Sequence, residues 1–395
     1  MNVNNVKRSP RRVEVSYGST LNIQLYGRDN LYPQRMRDLV YSSHTGSACM
    51  ERYQTFIEGN GLKDAAFADY ICNRRGDTVD DLFRMVARDM AMYHGVALHV
   101  NYNIFGDITE VTHVPFENCR LEEEQDDGAV VYINVHPDWT GRKTRRGRYI
   151  QVNRDTVKKI YVFNPRKEVV RAQIEKSGGI ESYRGQILWF SMDGRWQYPR
   201  PIYDKVVTNL STDEGLDNVM YRNVRNNFLV AGMLTHKKGS AVGYDDNGNP
   251  VVDDRDASGI SESLDIFQGD ENACAIMDVT IEADEDKPEF TPFEAQNFDS
   301  KFEKTHQQTT KSIYISFGQE VFYRIMDGSL GFSTDIMTEA FFYYSAYTNP
   351  QRRAISRLLK KVFDHWHEAA NASGDYDIEP LEYRSERHDT HSGDK

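Results

Sequence analysis

The histidines and cysteines are the side chains in this sequence that could most directly supply catalysis or metal binding. The close histidine pairs, His94 with His99 and His365 with His367, do not have the spacing that puts two ligands on one helix face. The cysteines lie far apart and form no CxxC pair: Cys49, Cys72, Cys119 and Cys274. We therefore predict no metal site and no catalytic residue among them, and we interpret the cysteines as buried, reduced thiols.

A glycine-containing aromatic stretch, "SFGQEVFYRIMDGSLGFS" at 316–333, is the next candidate for chemistry. Its glycines at 318, 328 and 331 match neither the GxGxxG pattern of dinucleotide sites nor the GxSxG pattern of serine hydrolases. The chain also contains no GxxxxGK[ST] phosphate loop and no HExxH motif. The stretch therefore predicts neither a nucleotide site nor a nucleophile.

Carboxylates that could act in pairs are concentrated in one segment. The formal net charge of the chain is −12, and 245–289 holds 15 Asp or Glu against Arg255 and Lys287. This segment therefore carries −13, and the remainder of the chain carries +1. Two basic clusters oppose it, "KRSPRR" at 7–12 and "GRKTRRGR" at 141–148, each of which is equally consistent with a solvated loop.

The acidic segment is a poor candidate for an active site. Catalytic carboxylates need a pocket that perturbs their pKa values, and this segment is hydrophilic throughout. Its "DDNGNPVVDDRD" sequence has Pro250 where a calcium loop needs a glycine. We predict no enzyme, no metal and no cofactor. A metal-dependent hydrolase using 245–289 is the alternative hypothesis, and a monomeric binding module with an acidic recognition loop is a third.

The composition is that of a large soluble protein. A chain of 395 residues with 39% hydrophobic residues predicts two or three compact units with a sizeable core. No apolar run approaches the roughly 18 residues of a membrane span. The basic N-terminus has no apolar segment after it, so we expect no secretory signal.

Helical patterns open the chain and a strand pattern follows. The sequence predicts a helix entered at Pro33, a second over about 45–57, and a third that Thr78 caps and Gly95 ends. The third helix has one apolar stripe: Val79, Leu82, Phe83, Val86, Met90 and Tyr93. From 96 to 190 the period becomes two, which predicts an antiparallel, meander-like sheet without βαβ alternation.

Long helices dominate the second half. Periodicity predicts a helix over about 201–229, roughly 42 Å long, and another that starts near Phe293. Two further helices are predicted from "TDIMTEAFFYYSAYTN" and "PQRRAISRLLKKVFDHWHEA". The core face of the last one is Ile355, Leu358, Leu359, Val362, Phe363 and Trp366. After Ala370 no periodicity is sustained, and we expect loose order there.

This order of elements resembles the portal proteins of tailed bacteriophages. The resemblance rests on "NLYP" at 30–33, "GNG" at 59–61, the junction "QYPRPIYDKVV", and the two long helices with an acidic segment between them. It implies an α+β protomer: a wing of helices and antiparallel sheet, two long stem helices, a small α/β clip, a tunnel loop and a reduced crown. The implied domains are an N-terminal wing (1–200), stem helix 1 (201–230), an acidic clip (231–292), stem helix 2 (293–317), a tunnel-loop region (318–335), C-terminal wing helices (336–370) and a short crown or flexible tail (371–395).

The resemblance also implies function and partners. Portal proteins form a homo-oligomeric ring, typically of twelve subunits, at one capsid vertex, and double-stranded DNA passes through it during packaging and ejection. The implied partners are the major capsid and scaffolding proteins, the large subunit of the terminase motor and a head–tail adaptor, with no membrane. The implied location is the virion, after assembly in the cytoplasm of the bacterial host.

Candidate site residues follow from this assignment. The DNA-facing tunnel loop would use Tyr323, Arg324, Met326, Asp327, Ser329 and Leu330. The stem lining would use Arg222, Arg225, Lys301, Lys304 and Lys311. The clip would bind a basic partner through Asp245, Asp246, Asp253, Asp254 and Asp256.

A different interpretation of the tunnel loop stays open. The aromatic cluster at 322–330 is also consistent with simple packing in the wing core, and Phe322 and Ile325 in particular look like core residues. Under the portal hypothesis, a mixed or acidic lining would let a duplex slide, because dense cationic contacts to phosphate would hold it.

Overall fold

The protein is a mixed α+β chain, seen here in a computed structural model. The structure describes residues 15–18, 21–142, 144–145, 147–226, 232–235, 241–244, 250–252, 289–292 and 298–383. Contacts divide it into two units, one of residues 1–210 with 311–395 and the other of residues 211–310. Each unit is described by itself. No helix in the described ranges is both long and apolar enough to cross a membrane.

The first unit opens with a hairpin and two helices. Strands β1 (Val15–Gly18) and β2 (Ile23–Tyr26) pair antiparallel. Helix α1 (Tyr32–Ser42) has proline in its first turn, where a missing N–H costs nothing, and helix α2 (His44–Glu58) ends at Gly59 with φ +59°. Both predicted helices are confirmed. Strand β3 (Gly61–Leu62) and the short helix α3 (Ala65–Ala68) follow.

Helix α4 (Val79–Tyr93) is the buried centre of this unit. Thr78 and Asp81 form a reciprocal capping box at its start, and the whole predicted apolar stripe is buried. The prediction that Gly95 ends the helix is wrong by one residue. His94 adopts the left-handed conformation (φ +57°) at the end of the helix, and Gly95 already begins the next strand.

A six-stranded sheet forms within the described part of 95–191. Its strands are β4 (Gly95–Tyr102), β5 (Ile108–His113), β6 (Cys119–Leu121), β7 (Tyr132–Val135), β10 (Lys158–Val162) and β11 (Gln186–Ser191), in the order β5-β4-β11-β10-β7-β6. A small hairpin, β8 (Thr144–Arg145) with β9 (Arg148–Tyr149), interrupts them.

The sheet is mixed, so the meander prediction is wrong in part. Strands β10 and β11 run parallel, and helix α5 (Lys167–Lys176) connects them as a crossover. The α5 sequence shows little amphipathic contrast, and Val170 is the one fully buried residue of this helix. A ten-residue segment with so narrow an apolar face gives a weak periodic signal, which is why the sequence analysis missed it.

The long helices that the sequence predicts in the second half are present, although the one predicted from 201 begins at Val207. A 3₁₀ turn (Ile202–Val206) leads into helix α6 (Val207–Asn226), and helix α7 covers Phe298–Ser316. Helices α8 (Glu320–Met326), α9 (Thr334–Tyr347) and α10 (Asn349–Phe363) complete the series. All six predicted core residues after Pro350, from Ile355 to Trp366, are buried.

The C-terminal residues are more ordered than expected. Strand β16 (Ile378–Glu379) pairs antiparallel with β3, and both Tyr376 and Ile378 are buried. The loose order predicted after Ala370 is therefore wrong for 371–383. The rings of Tyr376 and Phe363 both contact Phe67, edge to face, which holds this segment against the main core.

The second unit contributes two strand pairs. Strand β12 (Gly232–Thr235) pairs with β15 (Glu289–Pro292), and β13 (Ala241–Tyr244) pairs with β14 (Pro250–Val252). The second pair joins the residues on either side of 245–249 in an antiparallel register.

Candidate subunit and nucleic-acid interface

The predicted tunnel loop begins with a sharp change of chain direction after α7. Gly318 has φ +68°, and a Cβ at this position would lie 2.5 Å from the ring of Tyr347. Both the conformation and the space therefore require glycine here. The turn brings α8 back toward the core.

The buried side chain of Gln319 holds this turn. Its Nε2 donates to the Cys49 carbonyl oxygen and to the Tyr344 hydroxyl, both at 2.8 Å. Its Oε1 accepts from Arg52 Nη1 at 3.0 Å. The Arg52 guanidinium also lies 5.0 Å from the ring centroid of Phe322, a cation–π distance. Because every polar atom of Gln319 has a partner, its burial costs little.

One face of α8 packs inward, as the core interpretation predicted for Phe322. The Phe322 ring contacts the rings of Phe56, Phe341 and Tyr344, with centroids 5.6–6.0 Å apart. Tyr323 is half-buried, and its ring centroid lies 5.5 Å from that of Tyr314. The prediction of a loop from 322 is therefore wrong as far as Met326, because these residues are helical.

The loop itself is Asp327–Ser333, which we call the turn segment. Asp327 Oδ1 accepts from the Ser329 backbone N–H at 2.9 Å and from the Ser329 hydroxyl. These bonds hold the pKa of the exposed Asp327 carboxyl below its usual range, the hydroxyl contributing most. Gly328 and Gly331 both have positive φ with open space where a Cβ would lie.

The outward side of this region is apolar as well as polar. Met326, Leu330 and Phe332 are exposed, the last to 76%. On α9, Phe342 is exposed to 78% and Tyr343 to 46%. These exposed rings make the region a candidate for a surface that another molecule covers.

The structure places the tunnel-loop residues on two sides. Arg324, Met326, Asp327, Ser329 and Leu330 are exposed, so these five can reach a partner. Tyr323 faces Tyr314 and is held at the surface of the core.

The remaining candidates are placed only in part. Lys304 and Lys311 are exposed on α7. Arg222, Arg225 and Lys301 lie on described helices, but the structure describes only the backbone at these three positions. The five clip residues also fall outside the described part of the chain: Asp245, Asp246, Asp253, Asp254 and Asp256. Their roles stay predictions.

Sequence reasoning missed the outward aromatics of α9. The signal was present, since "FFYY" at 341–344 puts four large rings on consecutive helical positions, which cannot all face one core. A further exposed apolar run lies on α6, where Val219, Met220 and Tyr221 are 40–61% exposed.

The four histidines of the two close pairs are held by ordinary hydrogen bonds. His94 Nε2 lies 2.9 Å from the Tyr53 hydroxyl, and His99 Nε2 lies 2.7 Å from the Arg184 carbonyl oxygen. His365 and His367 both contact backbone carbonyls. Within the described ranges, no group of three His, Cys, Asp or Glu side chains is arranged to hold a metal ion.

Comparison with known proteins gives structural matches only. No family model matches the chain, and no curated protein matches its sequence. The neck of a native GTA particle, computed with C12 symmetry, matches with 13% identity and a TM-score of 0.49, over 91% of this chain and 84% of that chain. The virion of a native gene transfer agent matches with 14% identity and a TM-score of 0.45, over 94% and 86%.

A phage portal protein is also among the matches, the family that the sequence resembles. The HK97 family phage portal protein from Corynebacterium diphtheriae matches with 11% identity and a TM-score of 0.37, over 85% of this chain and 90% of that chain. All of these TM-scores are below 0.5. We therefore argue the function from this chain's own residues.

Proposed function

We propose that this chain is the subunit of a portal, a ring at one vertex of a phage capsid, and that it acts as a structural channel without catalysis of its own. One observation carries the proposal. Among the described residues, ten of the sixteen exposed large apolar side chains lie in two stretches of the chain, 219–221 and 315–347: Val219, Met220, Tyr221, Ile315, Met326, Leu330, Phe332, Phe342, Tyr343 and Tyr347. Such concentration predicts surfaces that neighbouring subunits cover.

A ring explains this distribution better than a monomer does. Subunits in a ring contact their neighbours head to tail, through two different surfaces of the same chain. Each of the two units carries one exposed apolar stretch, as expected of a chain with more than one contact surface. The resemblance of the element order to portal proteins supports the same conclusion.

The proposal extends to DNA. In the ring, the turn segment would face the channel, with Arg324 near phosphates and Met326 and Leu330 against the duplex. The exposed Lys304 and Lys311 would lie along the stem lining. The negative charge of 245–289 would limit sticking of DNA or attract a basic partner. Normal amounts of packaged DNA in a phage carrying Arg324→Ala would remove Arg324 from the contact set.

The partners follow from the same proposal. Capsid and scaffolding proteins would surround the ring, and the terminase motor and a head–tail adaptor would dock on it in turn. The site of action would be the capsid vertex of the virion. Mixing the purified ring with purified terminase large subunit would test one such contact, and failure to co-sediment would remove terminase from the set.

The experiment that tests the ring is negative-stain microscopy of the purified protein, with native mass measurement of the same sample. We expect closed rings of about twelve subunits, as the portal resemblance implies, with a hole wide enough for a duplex. A homogeneous 45.6 kDa monomer at all accessible concentrations would contradict the proposal.

A pair of matched variants sharpens this test. Phe332→Ser with Phe342→Ser removes two exposed rings from the proposed interface, and we expect the ring fraction to fall about tenfold or more. Phe105→Ser is the control, because Phe105 is also exposed (62%) but lies outside both stretches. Equal assembly of all three proteins would show that the apolar surface does not hold the ring together.

A further inference from the structure

A basic groove crosses the open face of the six-stranded sheet. Its volume is about 930 Å³, within the range of ligand-binding clefts. His99 and Asn101 of β4, Thr112 of β5 and Ile160 of β10 all contribute side chains to it. Strand alternation explains the arrangement, because Val96, Leu98 and Val100 point to the other face and are buried there.

Cations from three separate chain segments converge on this groove. Arg74 and Arg75 come from the turn before α4, Lys158 from the start of β10 and Arg184 from the residues before β11. The described residues that line the groove include no Asp or Glu. Arg74 pairs with Glu110 (Nε to Oε1, 3.0 Å), whereas Arg75, Lys158 and Arg184 are exposed and make no ion pair within the described chain.

The backbone sets where Arg75 and Arg184 leave the chain. Asn73 Oδ1 accepts from the Arg75 N–H at 2.9 Å, which sets the turn that carries both arginines. Gly185 has φ +71°, and a Cβ there would lie 2.3 Å from the Val100 carbonyl oxygen. Only glycine lets the chain pass so close to β4, and this passage places Arg184 at the groove.

The charge of the groove comes from these side chains and not from histidine. His99 is largely buried, and burial lowers its pKa, with Lys158 and Arg74 lowering it further against the Arg184 carbonyl and Glu110. His113 contacts Asp89, with Nε2 2.7 Å from Oδ2. The positive charge available to a ligand is therefore that of Arg75, Lys158 and Arg184.

The uncharged lining residues favour an acidic peptide over nucleic acid as the ligand. Four aliphatic side chains contribute to it, Val114, Val135, Ile150 and Ile160, and no Phe, Tyr or Trp is among the described lining residues. Single-stranded nucleic acid is typically held on Phe, Tyr or Trp stacking platforms, and the described lining residues provide none of these three. Aliphatic contacts offer nothing to a phosphate backbone, but they suit apolar side chains of a peptide.

We propose that this groove binds an acidic polypeptide segment, in which Asp or Glu side chains alternate with aliphatic ones, on a partner protein. The carboxylates would meet Arg75, Lys158 and Arg184, and the aliphatic side chains would rest on Val135, Ile150 and Ile160. Charge complementarity of this kind sets specificity and association rate. The inference holds for a monomer or a ring, so it does not depend on the proposed function.

A second basic depression provides the matched control. It is about half as large (about 430 Å³) and is lined by Arg353, Arg357 and Lys361. These three come from one helix at intervals of four residues, as expected of a solvated helix face. Reversing three charges there changes the net charge of the protein as much as reversing three in the groove.

The test is fluorescence anisotropy of a labelled peptide of alternating Glu and Leu, at low and at physiological ionic strength. Competitors are the Gln-for-Glu peptide and single- and double-stranded DNA oligonucleotides of similar length. We expect binding of the Glu peptide to the wild type, and a loss of about tenfold or more in the variant with Arg75→Glu, Lys158→Glu and Arg184→Glu. The variant with Arg353→Glu, Arg357→Glu and Lys361→Glu should stay within about twofold of the wild type.

Three outcomes would overturn the inference. They are absence of binding to the wild type, equal loss in both variants, and DNA binding that depends on the groove residues as strongly as peptide binding does. The last outcome would reassign the groove to nucleic acid. Circular dichroism of both variants checks their folding. If the Glu variant unfolds, the same measurements are made with Arg75→Gln, Lys158→Gln and Arg184→Gln, where a loss of peptide binding under about twofold would overturn the inference.

Discussion

The two aromatic faces of α9 have nearly the same composition and opposite surroundings. Tyr344 and Phe341 face the core, where Tyr344 is fully buried and its ring contacts Phe56 with centroids 4.8 Å apart. Phe342 and Tyr343, between them in the sequence, are exposed. The inward pair packs against rings of the same chain, while the outward pair is left exposed, with Tyr343 donating a hydrogen bond to Glu320 (3.1 Å).

The difference shows what apolar residue types can and cannot tell. Phe and Tyr on a helix predict burial, but they do not say whether the covering surface belongs to the same chain. On α9, buried and exposed rings occur within four residues. Mutations on the two faces should therefore separate folding from assembly.

Tyr344→Ala should have the largest effect. It removes a buried ring, and it leaves the Gln319 amide and the Phe317 carbonyl oxygen without the Tyr344 hydroxyl that both now contact. We expect the free energy of unfolding to fall by about 3–5 kcal/mol. Urea denaturation, at protein concentrations low enough for the chain to be monomeric, measures this change. Phe342→Ala is the matched control on the same helix and should stay within about 0.5 kcal/mol; equal losses would refute the two-face description.

Gly318→Ala should have an intermediate effect. Left-handed backbone costs a non-glycine residue about 1–2 kcal/mol, and the new methyl group would also meet the Tyr347 ring. Gly328→Ala has a similar positive φ but open space around it, so it carries the backbone cost alone. The difference in unfolding free energy between the two variants measures the contact with Tyr347. A Gly318→Ala variant no less stable than Gly328→Ala would show that Tyr347 moves aside freely.

Acidification should have the smallest effect on the free energy of unfolding, and it acts through the buried side chain of His94. Burial lowers the pKa of His94 from its usual 6.5 to about 4. Between pH 6.5 and 4 the unfolded chain therefore binds a proton at His94 that the folded chain does not bind. The contribution of neutral His94 to stability is complete above about pH 6.5 and is lost as the pH falls toward 4. At pH 5.5 we expect a loss of about 1 kcal/mol relative to pH 7.

His94→Asn tests the assignment, because asparagine tolerates the left-handed backbone at this position but does not titrate. The urea midpoint of the variant should change less between pH 7 and 5.5 than that of the wild type. Identical pH slopes would assign the acid sensitivity to other groups.

The sequence predicted the helices whose capping residues and apolar periodicity extend over several turns of one segment. The capping residue Thr78, the stripe of α4 and the core face of α10 were all read correctly, because each depends on residues within a few turns of one helix. Helix α8 lies where the sequence predicts a loop, because seven residues between glycines give too few turns for a periodic signal.

Long-range order was beyond local patterns. Strand alternation showed that 96–190 forms a sheet, but the parallel pairing of β10 with β11 depends on the crossover helix α5, whose narrow apolar face gives a weak periodic signal. The same holds for the candidate site. Exposure of Arg324 and Leu330 could be predicted from the turn residues around them, whereas the exposure of Phe342 depends on how α9 docks on α2.

The pairing of β16 with β3 affects when the first unit can finish folding during synthesis. Asn60 Nδ2 donates to the Pro380 carbonyl oxygen across 320 residues of sequence. At roughly 5–20 residues per second, a ribosome needs about 16–64 s to synthesise that intervening chain. During this interval Leu62 and Phe67 have no C-terminal cover, so the nascent N-terminal half presents apolar surface to chaperones. Completion of this unit therefore cannot precede the synthesis of β16.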